Sequence, residues 1–285
     1  MSTAVKSAVT STQPATVKPT RKGDSLLSRF GPPLVVLVII MAAWYGIAGY
    51  LLSIDKAFLL PLPHVIISDS FFPANGAKSI APDLLRSLGL STQVALFGLA
   101  ISIVIGIVWA IVMSQARWVE RSLFPYAVIL QCVPILALVP LIGITIGYSF
   151  EARILVCVLI SLFPMVSNTL FGLQSVDHSQ RELFQLQSAS RWTVLTKLQF
   201  PNALPAIFAG MRISAGLSVI GAIVGDTFFR RGQPGLGNLI SVYASRVQTA
   251  ELYAAVITSA LLGVVIFLVF GLIGKLAVGR WYTSA

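Results

Sequence analysis

Side chains that could catalyse a reaction or hold a metal are few and scattered in this 285-residue sequence. His64 and His178 lie far apart along the chain, and neither has a nucleophile or a metal-ligand spacing around it. Cys132 and Cys157 both lie within apolar runs, where cysteine behaves as a small buried hydrophobic residue. Residues 271–276 come nearest to a phosphate-binding loop, but they lack both its spacing and its Ser or Thr. The sequence therefore predicts no catalytic residue, no metal site and no ATP chemistry in this chain, which argues against an intramembrane enzyme.

The stretch at residues 177–201 is the longest polar interruption in the second half of the chain. Ser179 and Glu182 have the S-x-x-E spacing of a helix capping box, which predicts the start of a helix. Large apolar residues follow at helical spacing, at Leu183, Phe184, Leu186, Trp192, Leu195 and Leu198. A polar segment with an apolar face, placed between hydrophobic runs, predicts a binding surface for a protein outside the membrane.

The elements that must position this stretch are hydrophobic runs long enough to cross a membrane. Hydrophobic residues make up 56% of the chain and charged residues only 11%, and the mean hydropathy is +0.87, values far from those of a soluble domain. Because a spanning helix needs about 20 apolar residues, the chain has room for about six spans. We predict an all-α polytopic membrane protein with spans at about residues 33–52, 88–113, 123–146, 154–173, 204–224 and 252–278. Prolines are expected to kink the third and fourth spans.

The distribution of charge predicts the orientation of these spans. Residues 1–29 are rich in Ser, Thr, Lys and Pro, which predicts a disordered tail before a membrane domain at residues 30–285. Six spans place both termini on one side of the membrane. With the tail in the cytoplasm, that side carries more Lys and Arg than the other, in agreement with the positive-inside rule, and it also holds residues 177–201. The net charge of +10 is thereby explained by topology, and no nucleic-acid partner is predicted.

Several motifs along the chain resemble those of a known family of membrane permeases. Residues 182–201 keep the spacing of a cytoplasmic motif, E-A-A, three residues, G, nine residues, I-x-L-P, although Leu183, Phe184 and Ser188 replace its alanines and its glycine. Further matches are LPLP at residues 60–63, LQCVP at 130–134, FP with NT at 163–169, AGMR at 209–212 and GLG at 235–237. In order and spacing these motifs resemble permease subunits of binding-protein-dependent type I ATP-binding cassette importers. The branch that they resemble includes permeases for nitrate, bicarbonate, taurine, alkanesulfonates and thiamine precursors.

The resemblance implies the type I importer transmembrane fold and a place in the bacterial cytoplasmic (inner) membrane. Two permease copies, expected to be identical, would form the pathway for a small solute, either an anion such as nitrate, bicarbonate or a sulfonate, or a small heterocycle. An external substrate-binding protein would deliver this solute. Cytoplasmic ATPase subunits would bind ATP and Mg²⁺, so that this chain itself holds no cofactor. Residues 177–201 would then be the coupling segment, which inserts into a groove on an ATPase subunit.

Candidate functional residues form three groups under this resemblance. The coupling group, expected to contact the ATPase, is Glu182, Leu183, Phe184, Ser188, Ala189 and Ser190. The pathway group, expected to line the solute route, is Gln131, Pro134, Asn168 and Arg212. The third group, expected to contact the external binding protein, is Asp226, Arg230 and Arg231.

Each group also has a purely structural interpretation. Glu182 would then only cap its own helix. Arg212 is the only ionisable residue well inside a predicted span, and it could instead extend along its aliphatic stem toward the cytoplasmic surface. Gln131 and Asn168 could form hydrogen bonds between helices, and the third group could simply be solvated.

The break between the two helical parts of the coupling segment has its own prediction. Glycine at the motif position would allow a bend with positive φ, which Ser188 adopts less readily. Ser190 is therefore expected to form the break as the N-cap of the second helical part.

A secondary transporter or channel driven by an ion gradient is the competing function. Proton or sodium coupling usually uses carboxylates within the spans. All ten acidic residues lie in predicted loops, tails or span edges, which favours the ATP-driven importer.

Overall fold

The computed structural model describes residues 26–51, 58–72, 78–229 and 234–279. The helices in these ranges are α1 (Leu26–Gly46), α2 (Pro63–Phe71), α3 (Ala81–Ser114), α4 (Arg117–Cys132), α5 (Ile135–Ile146), α6 (Phe150–Gln174), α7 (His178–Leu186), α8 (Arg191–Val194), α9 (Phe200–Phe228), α10 (Leu236–Ser245) and α11 (Thr249–Val278). Short π-helical turns follow α1 at Ile47–Leu51 and α8 at Leu195–Gln199. The described residues contain no strand, which confirms the all-α prediction. The predicted tail lies outside the described residues except for residues 26–29, which belong to α1.

The chain divides into two units, Met1–Ile54, which contains α1, and Asp55–Ala285, which contains α2 to α11. The described residues include five helical stretches long and apolar enough to cross a membrane: Gly31–Tyr50, Ala81–Ser114, Phe150–Gln174, Arg191–Phe228 and Thr249–Val278. The consecutive helices α4 and α5 would make a sixth span if they are taken together. The predicted third span is therefore not one kinked helix, because its two halves are bent by 94° at residues 133–134.

Helices α6 and α9 form the antiparallel centre of the second unit. Gly225, near the end of α9, lies against Arg153, near the start of α6, and Gly172 lies against Ala203 where the other ends meet. Helix α3 packs beside α6 and α11 packs beside α9. We call the end where α7 connects α6 to α9 the α7 end. The opposite end, where α10 follows α9, is the α10 end.

Small residues let the central helices approach closely. A Cβ atom on Gly106 would lie 2.6 Å from Cγ of Met165, and one on Gly221 would lie 2.7 Å from Cα of Cys157. Both distances are shorter than real Cβ contacts, so these positions require glycine for packing, as is common between membrane helices. Cys157 is fully buried as predicted, whereas Cys132, at the end of α4, is exposed.

Candidate functional site

The coupling segment carries large apolar side chains that the described part of the chain leaves exposed. Leu183 is 54% exposed, Leu186 is 84% exposed and Trp192 is 71% exposed. Phe184 is half-buried, and no residue of α7 is buried. Helix α7 is otherwise polar, with Gln180, Arg181, Glu182 and Gln185 along it. Exposed apolar groups on a polar helix are typical of a surface that another protein covers.

The predicted capping box at the start of α7 does not form. Asp177, rather than Ser179, is the N-cap residue, and no side chain caps this end of the helix. Glu182 instead reaches back one turn, with Oε1 3.2 Å from Nδ1 of His178. Both side chains are more than half exposed, so this pair contributes little to stability. The carboxylate of Glu182 therefore lies on the open surface of α7.

A sharp elbow separates α7 from α8, and it uses both of the serines singled out in the sequence. Ser188 adopts φ +51°, in the left-handed region that usually holds glycine at a helix end. The N–H of Ser188 donates to the carbonyl of Gln185, and the N–H of Ala189 donates to the carbonyl of Phe184, at 2.9 and 3.0 Å. Ser190 then caps α8, since its Oγ accepts the N–H of Thr193 at 3.2 Å. The N-cap prediction for Ser190 is confirmed. Ser188 nevertheless adopts the left-handed conformation that glycine would adopt at the motif position.

The far side of the elbow is attached to the helix bundle. Leu195 is only 4% exposed and packs in a core cluster with Leu173 of α6 and Ala203 of α9. Asn202 donates from Nδ2 to Oγ of Ser175 at 3.1 Å, which joins the start of α9 to the end of α6. The elbow is therefore attached to both central helices.

A cavity of about 320 Å³ lies at the bend between α4 and α5. Pro134 precedes α5 at this bend as its N-cap residue. The lining residues come from α4 to α6 and α9: Leu130, Gln131, Val133, Ile135, Leu159, Ile160, Pro164, Leu217 and Ile220. Gln131 supplies the only side-chain hydrogen-bonding group among them, and none of them is charged. The cavity can therefore hold a small, largely apolar group and orient it through one amide.

The other two predicted pathway residues lie elsewhere. Asn168 donates from Nδ2 to the carbonyl of Pro164 at 2.8 Å, and its side chain packs against Gly210. Arg212 faces α11, where its guanidinium stacks 4.0 Å from the ring centroid of Phe267. The four pathway residues predicted from the sequence are thus not brought together in one cavity.

At the α10 end, a buried ion pair connects α6 to α9. Nη1 of Arg153 lies 3.1 Å from Oδ1 of Asp226, and these side chains are only 4% and 0% exposed. The other carboxylate oxygen accepts a hydrogen bond from Ser91 of α3. Oγ of Ser91 in turn accepts the N–H of Leu236 at 2.9 Å, and Nη2 of Arg153 donates to the carbonyl of Phe229 at 2.8 Å. One carboxylate therefore holds three helices and the start of α10 together.

The expected exposure of Asp226 to an external binding protein is therefore wrong. The carboxylate is fully buried because Arg153 and Ser91 satisfy it inside the bundle. The glycines of the GLG motif let α10 begin directly over it. A Cβ atom on Gly235 would collide with the carboxylate of Asp226, and one on Gly237 would collide with the carbonyl oxygen of Ile223. The other two residues of the third group, Arg230 and Arg231, lie outside the described residues.

Arg153 is a buried charged residue that none of the three predicted groups includes. It directly precedes the fourth predicted span, which begins at about residue 154, so the hydrophobic pattern alone places it in a loop. Its charge is opposite to that of Asp226, and both residues flank spans at the same predicted side of the membrane. That complementarity was the available signal for a buried pair.

The protein-family comparison matches residues 102–281 to a model described as binding-protein-dependent transport system inner membrane component. The riboflavin transport system permease protein RibX of Chloroflexus aurantiacus is 30% identical over 250 residues, which cover 88% of this chain and 90% of the relative. The formylaminopyrimidine transport permease protein ThiX of Halalkalibacterium halodurans is 30% identical over 241 residues, with 82% and 90% covered.

A solved structure of the MetNI methionine ABC transporter, in inward-facing conformations, shares the fold. It matches with a TM-score of 0.53 at 15% identity and covers 69% of this chain and 94% of that chain. The family match spans more than half of the described helices and includes α4 to α11. The chain is therefore a multi-pass inner-membrane permease component that belongs to the binding-protein-dependent transport system family.

Proposed function

We propose that this chain is the transmembrane subunit of an ATP-driven importer and works as a pair of identical copies. Cytoplasmic ATPase subunits, which bind ATP and Mg²⁺, dock on the coupling segment, and an external binding protein delivers the solute at the opposite face. Both termini lie in the cytoplasm. The observation that carries the proposal is the uncovered apolar surface of α7 and α8, at Leu183, Leu186 and Trp192.

The chemistry of this surface matches a protein groove better than water or lipid. Burial of Leu186 and Trp192 lowers the free energy by about 25 cal/mol for each Å² of apolar area removed from water. Glu182, which pairs with His178 on the exposed surface of the same helix, can also make a polar contact at the edge of the groove. Because Leu195 and Asn202 attach the elbow to α6 and α9, closure of the ATPase subunits would move the two central helices.

The docking proposal is tested by a double variant, Leu186→Asp with Trp192→Asp. The full chain, carrying a tag, is purified in detergent from membranes that contain its partner subunits, and ATP hydrolysis is measured in the eluate. The matched control is Phe72→Asp, which changes a 79% exposed apolar side chain next to α2. We expect the copurified ATPase activity of the double variant to fall about tenfold or more, which corresponds to about 1.4 kcal/mol of binding free energy. The control should keep its copurified ATPase activity. Full activity in the double variant would contradict docking at α7 and α8.

We further propose that the solute is a small, flat heterocycle rather than an inorganic anion. The cavity at the α4–α5 bend is lined by apolar side chains and the amide of Gln131, and none of its lining residues is cationic. Arg212, the one cation among the predicted pathway residues, faces α11 instead. Relatives named for riboflavin and formylaminopyrimidine transport support the same solute class.

Uptake of labelled riboflavin, formylaminopyrimidine and nitrate by cells that express the assembled importer tests the solute class. We expect uptake of a heterocycle that stops when ATP is depleted and falls in Gln131→Leu. Uptake of nitrate alone would contradict the solute proposal. Uptake that persists without ATP would instead favour the ion-gradient alternative.

A further inference from the structure

Among the described residues, no acidic group pairs with the arginine that lies in the groove between α9 and α11. Arg212 is exposed, and it lines a cavity of about 200 Å³ together with Phe208, Gly271 and Gly274. Within the described ranges, its guanidinium makes no hydrogen bond or ion pair, and it stacks on the ring of Phe267 at 4.0 Å. Five N–H donors therefore lack an acceptor there. A cation in this position of a spanning helix is costly unless an anion or water reaches it.

The same two helices form an apolar cavity directly beside this arginine. It has a volume of about 540 Å³ and is lined by Gly216, Val219, Ser259, Gly263 and Phe267, among others. Phe267 belongs to this cavity and also stacks on Arg212, so the apolar and cationic parts meet at that ring. The absence of side chains at Gly216 and Gly263 leaves the apolar part open to its surroundings.

The groove runs from the phosphate layer of the membrane at one end toward the middle of the span at the other. Lys275 lies four residues after Gly271 on α11, a rise of about 6 Å toward the α7 end. Basic residues in the last turn of a spanning helix extend to the phosphate layer. The guanidinium of Arg212 is thus within reach of a phosphate at that layer, whereas the apolar cavity extends from it toward the middle of the span.

We propose that this groove binds an anionic phospholipid. The phosphate accepts hydrogen bonds from Arg212, with Lys275 as a second cation, and one acyl chain fills the apolar cavity beside Gly263. The lining residues include no carboxylate that would repel the phosphate. Gly271 is part of the site, because a Cβ atom there would lie 3.1 Å from Nε of Arg212 and would press on the guanidinium.

Native mass spectrometry of the purified full chain tests the proposal with two defined lipids, dioleoylphosphatidylglycerol and dioleoylphosphatidylcholine. We expect the anionic lipid to bind more tightly, and Arg212→Gln to lower its affinity about tenfold, a typical loss for a charge-assisted hydrogen bond. The matched control is Arg121→Gln, which removes an exposed arginine of α4 outside the groove and is expected to change nothing.

A second variant keeps the test decisive if Arg212→Gln does not accumulate. Gly263→Leu leaves Arg212 in place and fills the apolar cavity, since the nearest atom to a Cβ there is Cγ1 of Val219 at 3.9 Å. We expect this variant to lose bound phosphatidylglycerol as well. Equal affinity for the two lipids, an equal loss in Arg121→Gln, or unchanged binding in Gly263→Leu would each overturn the proposal. Occupation of the groove by a second copy of the chain would also overturn it, and would appear as a dimer that excludes the lipid.

Discussion

The two ends of the helix bundle are built on opposite principles. At the α10 end, charged groups are buried and paired, because Arg153, Asp226 and Ser91 bind one another inside the bundle. At the α7 end, apolar groups are exposed, with Leu186 84% and Trp192 71% uncovered. Buried charge is the unusual placement at the first end, and at the second end the exposed Leu186 lies on a helix that is otherwise mostly polar. The proposed docking of an ATPase subunit would cover the exposed apolar groups of the α7 end, whereas the buried charges of the α10 end are paired within the chain.

Helices α7 and α10 nevertheless end in the same way. Each has a left-handed residue that is not glycine after its last turn, Ser188 with φ +51° and Val247 with φ +57°. The same two backbone hydrogen bonds form at each turn. The N–H of the left-handed residue donates to the carbonyl three residues earlier, and the next N–H donates to the carbonyl five residues earlier. Because side chains disfavour this backbone region, both turns depend on these local backbone hydrogen bonds, which commonly close a helix end.

The largest effect is expected from removing half of the ion pair. Asp226→Ala leaves Arg153 buried without its partner, which costs about 3–5 kcal/mol of stability. Thermal unfolding of the purified chain in detergent should show a clearly lower midpoint. The double variant Arg153→Met with Asp226→Leu removes both charges and should recover most of the loss. An unchanged midpoint in Asp226→Ala would mean that this end is not held by the pair.

A smaller loss is expected where α10 begins. Gly237→Ala places a methyl group against the carbonyl oxygen of Ile223 and 2.6 Å from Oγ1 of Thr227, and overpacking of this kind costs about 1–3 kcal/mol. The same unfolding measurement applies. Gly263→Ala is the matched control, because its new methyl group has ordinary contacts and should leave the midpoint unchanged. Equal midpoints for both variants would contradict the close approach of α10 to α9.

The sequence predicted the helices well and their pairing poorly, for a physical reason. Hydrophobic runs and the positions of prolines are local, so the spans and the bend before Pro134 could be expected, although not its 94° angle. The carboxylate of Asp226 was placed in water because its partner lies 73 residues earlier in the chain. Ser190 was predicted correctly as an N-cap because capping depends on the next three residues. Nothing in the neighbouring sequence predicts the left-handed conformation of Val247.

A gain in stability is expected at the strained turn of the α10 end. Val247→Gly removes a β-branched side chain from the left-handed region and should stabilise the folded chain by about 1 kcal/mol. Ser188→Gly should act in the same direction by a smaller amount, because serine is less hindered there than valine. The two unfolding midpoints, compared with wild type, check the order. A midpoint below wild type in Val247→Gly would show that the surroundings depend on the valine side chain.

The smallest effect is local to the elbow. Ser190→Ala removes the acceptor for the N–H of Thr193, which costs about 1 kcal/mol of helix stability. Because α8 is short and exposed, we expect faster amide exchange in residues 191–195 and an unchanged unfolding midpoint. Ser245→Ala, in the last turn of α10, is the control, since its Oγ only donates to the carbonyl of Val242. Unchanged exchange in Ser190→Ala would show that the Ser190 side chain does not stabilise the start of α8.

Hydrogen exchange of the full chain with and without its ATPase subunits tests the contrast between the two ends most directly. If the α7 end is completed by a partner and the α10 end by the chain itself, the amides of residues 178–194 gain protection on assembly. The amides of α10, residues 236–245, then exchange at the same rate in both states. Unchanged exchange at residues 178–194, or equal protection at α10, would contradict the assignment of α7 and α8 as the docking surface.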